Sequence, residues 1–334
     1  MAQSDIERIM SKPKVFVTRI IPDKGFDLVK DFCDVDLWSE ELPPGRTEFM
    51  NHVQGVDGIL SLLTDRVDGE LMDAAGPQLK VISNFAVGFD NIDVHAATAR
   101  KIPVGNTPDV LTDATADFAF TLMMTAGRRI LEADRYVRDG KWKTWGPMLL
   151  LGVEMKGATL GLVGFGRIGK AMARRAVGFE MRVIYYDPME TKTNPEMHAT
   201  RVDFETLLEE SDFISLHTPL TADTHHLIDS EALSKMKPNA VLVNTSRGPV
   251  VDLGALHDAL KAEKIFAAGL DVTDPEPLPL DHPLFKLDNI VIMPHIASAS
   301  KAARDKMSWI AAKNLIAGLK GEHLPNCVNP QVYK

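Results

Sequence analysis

Short β-branched runs alternate with amphipathic stretches along most of this chain, and that alternation limits its fold more than any other feature. Lys14 to Arg19, Val35 to Ser39, Gly58 to Leu63, Lys80 to Phe85 and Ile102 to Asn106 read as strands. Between them Pro22 to Phe32, Val67 to Ala75 and Ile92 to Lys101 space apolar side chains by three and four residues, as a half-buried helix does. Consecutive strands joined by helices pair in parallel, with helices covering both faces of the sheet.

The first series is therefore expected to be a flavodoxin-like half. After Pro108 a long stretch, Leu111 to Arg129, is apolar on most of its surface and is expected to be a helix buried between two domains. A loop with Trp142, Trp145, Gly146 and Pro147 follows. A second series begins at Ala158, with strands near Val183 to Tyr186, Phe213 to His217, Ala240 to Asn244, Ala267 to Val272 and Ile290 to Met293. A last helix, Ser300 to Lys320, is expected to return the chain to the first domain. The fold class expected is α/β with two doubly wound parallel-sheet domains. Residues 1–107 plus 299–334 make a discontinuous substrate domain, and 108–298 an inserted Rossmann domain.

The second series opens with Gly164, Gly166 and Gly169, a GxGxxG set between the strand-like run Ala158 to Val163 and the helical Ile168 to Val177. In that context the first glycine permits the tight turn, the second lets backbone approach a pyrophosphate, and the third lets helix and strand pack closely. Phe165, Arg167 and Ile168 fill the turn, and phosphates would meet free N–H groups at a helix N-terminus. Asp187 ends the next strand, about 20 residues on, where a carboxylate accepts both ribose hydroxyls. NAD is the cofactor expected, and NADP is disfavoured because its 2′-phosphate would face that charge.

Composition removes several function classes. A net charge of −9 over 334 residues, spread without long acidic blocks, argues against nucleic acid or an anionic membrane as main partner, since both need a basic footprint. Cys33 and Cys327 lack a metal-ligand spacing, so neither a disulfide framework nor a metal site is expected. No stretch approaches the ~20 apolar residues of a membrane span, and MAQSDIERIMSKPK has no apolar leader core, so a cytoplasmic protein is expected.

Ligands of open α/β sheets bind beyond the carboxyl ends of the strands. Three residues there can hold an anion and move a proton. Arg247, after the strand ending at Asn244, offers a planar fork suited to a carboxylate, with Gly248 as a flexible neighbour. Glu276 lies in the proline-stiffened loop Thr273 to Pro277. His295 follows Pro294, and imidazole is the side chain suited to proton transfer near neutrality. A carboxylate beside that ring would orient it and favour its charged form. Taken singly, each is an ordinary surface or loop residue; their shared placement at strand ends is the signal.

Together the segments Ser61 to Asp68, Ala86 to Asp93, Thr107 to Asp113, Gly161 to Gly169, Asn244 to Gly248, Gly269 to Glu276 and Pro294 to Ser298 resemble the D-isomer-specific 2-hydroxyacid dehydrogenases. Within that family the glyoxylate and hydroxypyruvate reductases are most similar, from about Lys14 to Asn329. The resemblance implies reduction of a small 2-keto acid, with His295 as proton donor, Glu276 tuning it and Arg247 on the substrate. It implies that backbone amides of Val87 and Gly88, with Leu63 nearby, receive the carboxylate. Nicotinamide contacts are implied from Thr218, Pro219, Thr245 and Asp271, and the candidate cofactor set also includes Thr112, Thr224 and Ser246.

The resemblance further implies a homodimer through the cofactor domain, with the segment after Arg129 as an embracing arm; Trp142 and Trp145 could equally be self-packed core. Asp187 departs from the many glyoxylate reductases that carry a small or basic residue there, which puts NADPH preference in doubt. Two other readings stay open: a dinucleotide-sensing, corepressor-like binding protein on the same fold, and a phosphoglycerate dehydrogenase, for whose substrate phosphate Arg66 or Lys101 would have to be conscripted.

Overall fold

The computed structural model describes residues 12–189 and 198–334; most of the N-terminal stretch read above, residues 1–11, lies outside them. The described residues form two units, one reaching Leu111 and resuming over Ser300–Lys334, the other spanning Thr112–Ala299.

In the first unit, strands β1 (Lys14–Val17), β2 (Asp34–Leu37), β3 (Gly58–Ser61), β4 (Val81–Asn84) and β5 (Val104–Gly105) pair in the order β2-β1-β3-β4-β5, all parallel. Every residue of β3 and β4 is buried, so these strands are continuously covered on both faces. Helices α1 (Asp23–Phe32), α2 (Arg46–His52), α3 (Gly69–Ala75) and α4 (Val94–Ala99) connect them. The side chains of Asp68 and Asp93 cap α3 and α4 by accepting from the amides of Leu71 and Ala96. The sequence pattern did not announce α2, a short helix behind Pro43 and Pro44 that buries only Phe49.

The C-terminal helix Lys301–Leu319 lies on β3, β4 and α1 of this unit. Its contact with α1 is close: a Cβ on Gly25 would stand 2.1 Å from the Ser308 carbonyl oxygen. Ser308 Oγ also donates to Pro22 O at 2.9 Å. A glycine inside a helix costs about 1 kcal/mol relative to alanine, and here the approach of two backbones requires it.

The second unit holds β6 (Thr159–Val163), β7 (Arg182–Tyr186), β8 (Ala199–Arg201), β9 (Phe213–Leu216), β10 (Val241–Asn244), β11 (Ala267–Leu270) and β12 (Ile290–Ile292), in the order β12-β11-β10-β9-β6-β7-β8. All its pairs are parallel. The chain is thus an α/β protein of two parallel sheets. Edge strand β8 was invisible to the pattern because none of its three residues is buried. Helices α5 (Thr112–Gly127), α6 (Ile130–Arg138), α7 (Arg167–Val177), α8 (Phe204–Glu210), α9 (Ser230–Lys235) and α10 (Leu253–Lys261) complete the unit.

The apolar surface of α5 is accounted for within its own unit, where Ala119, Leu122, Met123 and Ala126 join Leu160, Leu162, Phe165 and Val243 in one core cluster. By contrast α6 buries no residue, and Trp142 and Trp145 beyond it are 59% and 78% exposed. The two tryptophans are therefore not self-packed core. Among the described residues no helix is long and apolar enough to cross a membrane, and no group of three or more His, Cys, Asp or Glu side chains could hold a metal ion.

Candidate active site

In the second unit the direction of chain winding reverses beside β6, whose neighbours are β7 and β9, and this is where an open parallel sheet forms a crevice. Gly164 leaves β6 with φ +92°, and a Cβ there would lie 2.6 Å from the His217 carbonyl oxygen. On Gly169 a Cβ would stand 2.3 Å from Gly164 O, so the helix start presses on the turn. A Cβ on Gly166 would meet nothing within 4 Å. The first and third glycines are required by packing, whereas the second faces open space at the start of α7, where Arg167 and Ile168 form the first turn.

Asp187 follows β7 and has two tasks in this turn. Its Oδ2 accepts from Phe165 N at 2.8 Å and its Oδ1 from Met189 N at 2.9 Å. The carboxylate expected to be reserved for ribose hydroxyls therefore also braces the glycine turn. Each oxygen keeps a further lone pair for a hydroxyl.

The ends of adjacent strands β10, β11 and β12 carry the three candidate catalytic residues. Arg247 lies just after β10, where Asn244 Nδ2 donates to Arg247 O at 2.8 Å and Asn244 Oδ1 accepts from the amide and hydroxyl of Ser246 at 2.9 and 2.8 Å. Gly248 is present for space rather than flexibility: a Cβ would sit 1.9 Å from Thr273 O, so the arginine turn lies directly on the loop that bears Glu276. That loop is tied by Thr273 Oγ1 to Pro275 O at 2.8 Å.

His295 Nδ1 stands 2.5 Å from Glu276 Oε1. An ionised carboxylate only accepts, so Nδ1 carries the hydrogen and Nε2 remains for transfer. His295 has φ +54°, an uncommon region for a residue with a side chain. Asp271, at the end of β11, holds it there: its carbonyl accepts from His295 N at 2.9 Å, and its carboxylate from Ile296 N and Ala297 N at 2.8 and 2.7 Å. Burial pushes the Asp271 carboxyl up, against the opposing pull of these two amides. Asp271 thus anchors the His295 segment, a role its sequence position did not reveal.

In the first unit, Leu63, Val87 and Gly88 lie on the loops beyond β3 and β4. Ala86 O accepts from Thr107 N at 2.8 Å, and Val87 O from Asn106 Nδ2 at 2.8 Å. Among the described residues neither Val87 N nor Gly88 N has an acceptor. The loop turns its carbonyls inward and leaves two neighbouring donors open, as an anion cradle does.

Residues 120–297 match the family described as D-isomer specific 2-hydroxyacid dehydrogenase, NAD binding domain. The glyoxylate reductase of Korarchaeum cryptofilum (strain OPF8) is 53% identical over 97% of this chain and 98% of its own. The chain belongs to the D-isomer-specific 2-hydroxyacid dehydrogenases. Among solved structures, a protein from Thermus thermophilus superposes with TM-score 0.90 at 46% identity, over 94% of this chain and 99% of that one. An NADPH-dependent glyoxylate/hydroxypyruvate reductase of Sinorhizobium meliloti, in complex with NADP and malonate, superposes with TM-score 0.83 at 32% identity, over 96% and 98%.

A nicotinamide dinucleotide fits the residues that this dehydrogenase presents. Gly166 opens into free space, and the buried hydroxyls of Thr218 and Thr245, at the ends of β9 and β10, have no partner among the described residues. An unpaired buried hydroxyl costs about 1–3 kcal/mol, a cost that a polar ligand group would remove. Pro219 follows Thr218, and Thr224 Oγ1 donates to Pro219 O at 2.7 Å, which fixes that loop. Thr112 begins α5.

His217 precedes this loop, with Nε2 3.0 Å from Ser215 Oγ, and burial pushes its imidazole down to about 3. A histidine lowered on folding binds its proton first in the unfolded chain, so its linkage removes stability as pH falls from about 6.5 toward 3 and contributes nothing above that range. Urea midpoints compared at about pH 7.5 and about pH 5 should fall further for the wild type than for His217→Asn. Equal falls in the two proteins would show that another group carries the titration.

Proposed function

We propose that this dehydrogenase reduces a small 2-keto acid, glyoxylate or hydroxypyruvate, to the D-2-hydroxy acid, with NADH as the preferred cofactor. The observation that carries the reading is the pairing of His295 Nδ1 with Glu276 Oε1 at 2.5 Å, on strand ends of the sheet whose β6 turn bears the three glycines. The substrate class is supported by the name of the Korarchaeum relative, a glyoxylate reductase over nearly its whole length.

The reduced nicotinamide, when bound, supplies the hydride. His295, charged and protonated on both ring nitrogens, gives the carbonyl oxygen its proton from Nε2 and is left neutral with its hydrogen on Nδ1, where Glu276 accepts it before and after the transfer. The Arg247 fork engages the substrate carboxylate and polarises the adjacent carbonyl. The open amides of Val87 and Gly88 take carboxylate oxygens, which aligns the carbonyl carbon for attack. In the oxidative direction His295 is the base.

His295→Asn should lower kcat for glyoxylate by about 10²- to 10⁴-fold and leave NADH affinity, read by fluorescence titration, unchanged. Equal loss of both would remove His295 from the proton-transfer role.

The choice of NADH rests on Asp187, whose carboxylate would oppose a 2′-phosphate. Asp187→Ser should shift the ratio of kcat/KM values toward NADPH. Because the carboxylate also braces Phe165 and Met189, NADH affinity should weaken as well. An unchanged ratio would show that the selector lies elsewhere.

A second copy of the chain is the partner we infer for the segment after Arg129, where Ile130, Leu131, Val137, Trp142, Trp145, Met148 and Leu151 are exposed within one stretch. So much apolar surface in one place marks an interaction site. Sedimentation equilibrium should return twice the chain mass, and Trp142→Ser combined with Trp145→Ser should shift the mass toward one chain. A monomeric wild type would refute the dimer.

A further inference from the structure

We propose that Asn84 and Asn91 are positioning residues for the substrate carboxylate, forming a two-amide relay that holds the loop presenting the Val87 and Gly88 donors. This rests on the reading above in which those two amides receive the carboxylate.

The peptide unit is planar, so fixing a carbonyl fixes the N–H of the next residue. The bond from Thr107 N to Ala86 O therefore orients Val87 N–H, and the bond from Asn106 Nδ2 to Val87 O orients Gly88 N–H. What remains free is the far side of Gly88, which has no side chain to limit its own dihedrals. Asn84 closes that gap, donating from Nδ2 to Gly88 O at 3.0 Å.

The second Nδ2 hydrogen of Asn84 goes to Asn91 Oδ1 at 3.1 Å. Asn91 Nδ2 then donates to Leu62 O and to Asp65 O, both at 2.9 Å. These two carbonyls bracket Leu63 and Thr64, so the loop beyond β3 and the loop beyond β4 are held as one body. Ser61 Oγ completes the relay, donating to Asn84 Oδ1 at 3.1 Å.

Every side-chain N–H of the two asparagines is used, and Nδ2 of Asn91 faces two carbonyl oxygens, which settles its orientation. Ser61 and Asn84 are completely buried, so no water stands ready to replace a lost partner. Asp65 steadies the same turn from behind, accepting from Leu62 N at 2.7 Å and from the Thr18 hydroxyl. None of these side chains carries a net charge toward the cradle except the buried Asp65, whose carboxyl burial pushes up. The relay acts by geometry: it keeps two donors parallel before an anion arrives.

The chemistry admits asparagine and little else. At position 91 an aspartate has the same shape but would set a carboxylate oxygen against the carbonyls of Leu62 and Asp65. At position 84 an aspartate would keep the bond from Ser61 and lose both donations.

The test compares wild type with Asn91→Asp, Asn91→Ala and Ser61→Ala, reading kcat and KM for glyoxylate, Ki for oxamate, and Kd for NADH. Oxamate bears the carboxylate and cannot accept hydride, so it reports the cradle apart from the chemistry. In the Asn91 variants KM and Ki should rise together by about tenfold or more, with kcat largely kept and the Kd for NADH within about twofold. A folded Asn91 variant with unchanged KM and Ki, or one that loses kcat alone, overturns the proposal.

Should the Asn91 variants fail to fold, Ser61→Ala decides, since it removes only the bond to Asn84 Oδ1. A KM and Ki rise of about two- to threefold supports the relay, and unchanged values overturn it. A wild type that neither turns over glyoxylate nor binds oxamate overturns the functional reading and the relay with it. Normal wild-type binding with unaltered variants overturns the relay alone.

Discussion

Parallel pairing is the constraint on which the rest of this structure depends. Because every strand of each sheet runs the same way, every carboxyl end falls on one edge of that sheet, and the candidate site residues sit there. The second sheet brings the glycine turn, Asp187, Thr218, Thr245, Arg247, Glu276 and His295 to its edge from six different strands. The first sheet brings Leu63, Val87 and Gly88 to its own. Parallel strands must be covered on both faces, and the wholly buried runs of β3, β4, β6, β9, β10 and β11 meet that demand.

A buried sheet edge poses a polar problem, since loops that begin there carry amides and carbonyls into a partly dry region. The structure meets it with short side chains whose oxygens and nitrogens stand in for absent strand neighbours. Asp187 serves two amides around the glycine turn, Asp271 two amides after His295, and Asn244 both the amide and the hydroxyl of Ser246. Asn84 and Asn91 do the same for the loops of the first unit. Leaving such groups unpaired would cost about 1–3 kcal/mol each, a large fraction of the roughly 5–15 kcal/mol by which a domain stays folded. Asp271 also sustains the left-handed backbone of His295, so local strain is tolerated at the candidate proton donor.

The alternation of strands and helices was legible in the sequence almost element by element, because β-branched runs and three- to four-residue spacing report local preference together with burial. It named neither α2 nor β8, and between the later strands it placed helices only by implication, without the bounds of α8, α9 and α10. The candidate site was legible where a motif has a fixed spacing, as with Gly164, Gly166 and Gly169, or where a residue follows a readable strand, as with Arg247, Glu276 and His295. Asn84 and Asn106 carried no such mark. Their amides matter only because a loop close in space, though not always in sequence, offers carbonyls to them.

By itself, then, the sequence determined the parallel α/β class, the dinucleotide turn and the strand-end placement of an arginine, a glutamate and a histidine, since each follows from local periodicity or from order along the chain. Tertiary structure alone decided that Glu276, expected to tune His295, meets it through Nδ1, that Gly248 exists to let two loops touch, that Asp187 braces the turn it was expected only to serve, and that Trp142 and Trp145 stand exposed. The physical reason is common to all four. A contact between segments far apart in sequence depends on distances that only packing sets, and no local preference of the chain encodes them.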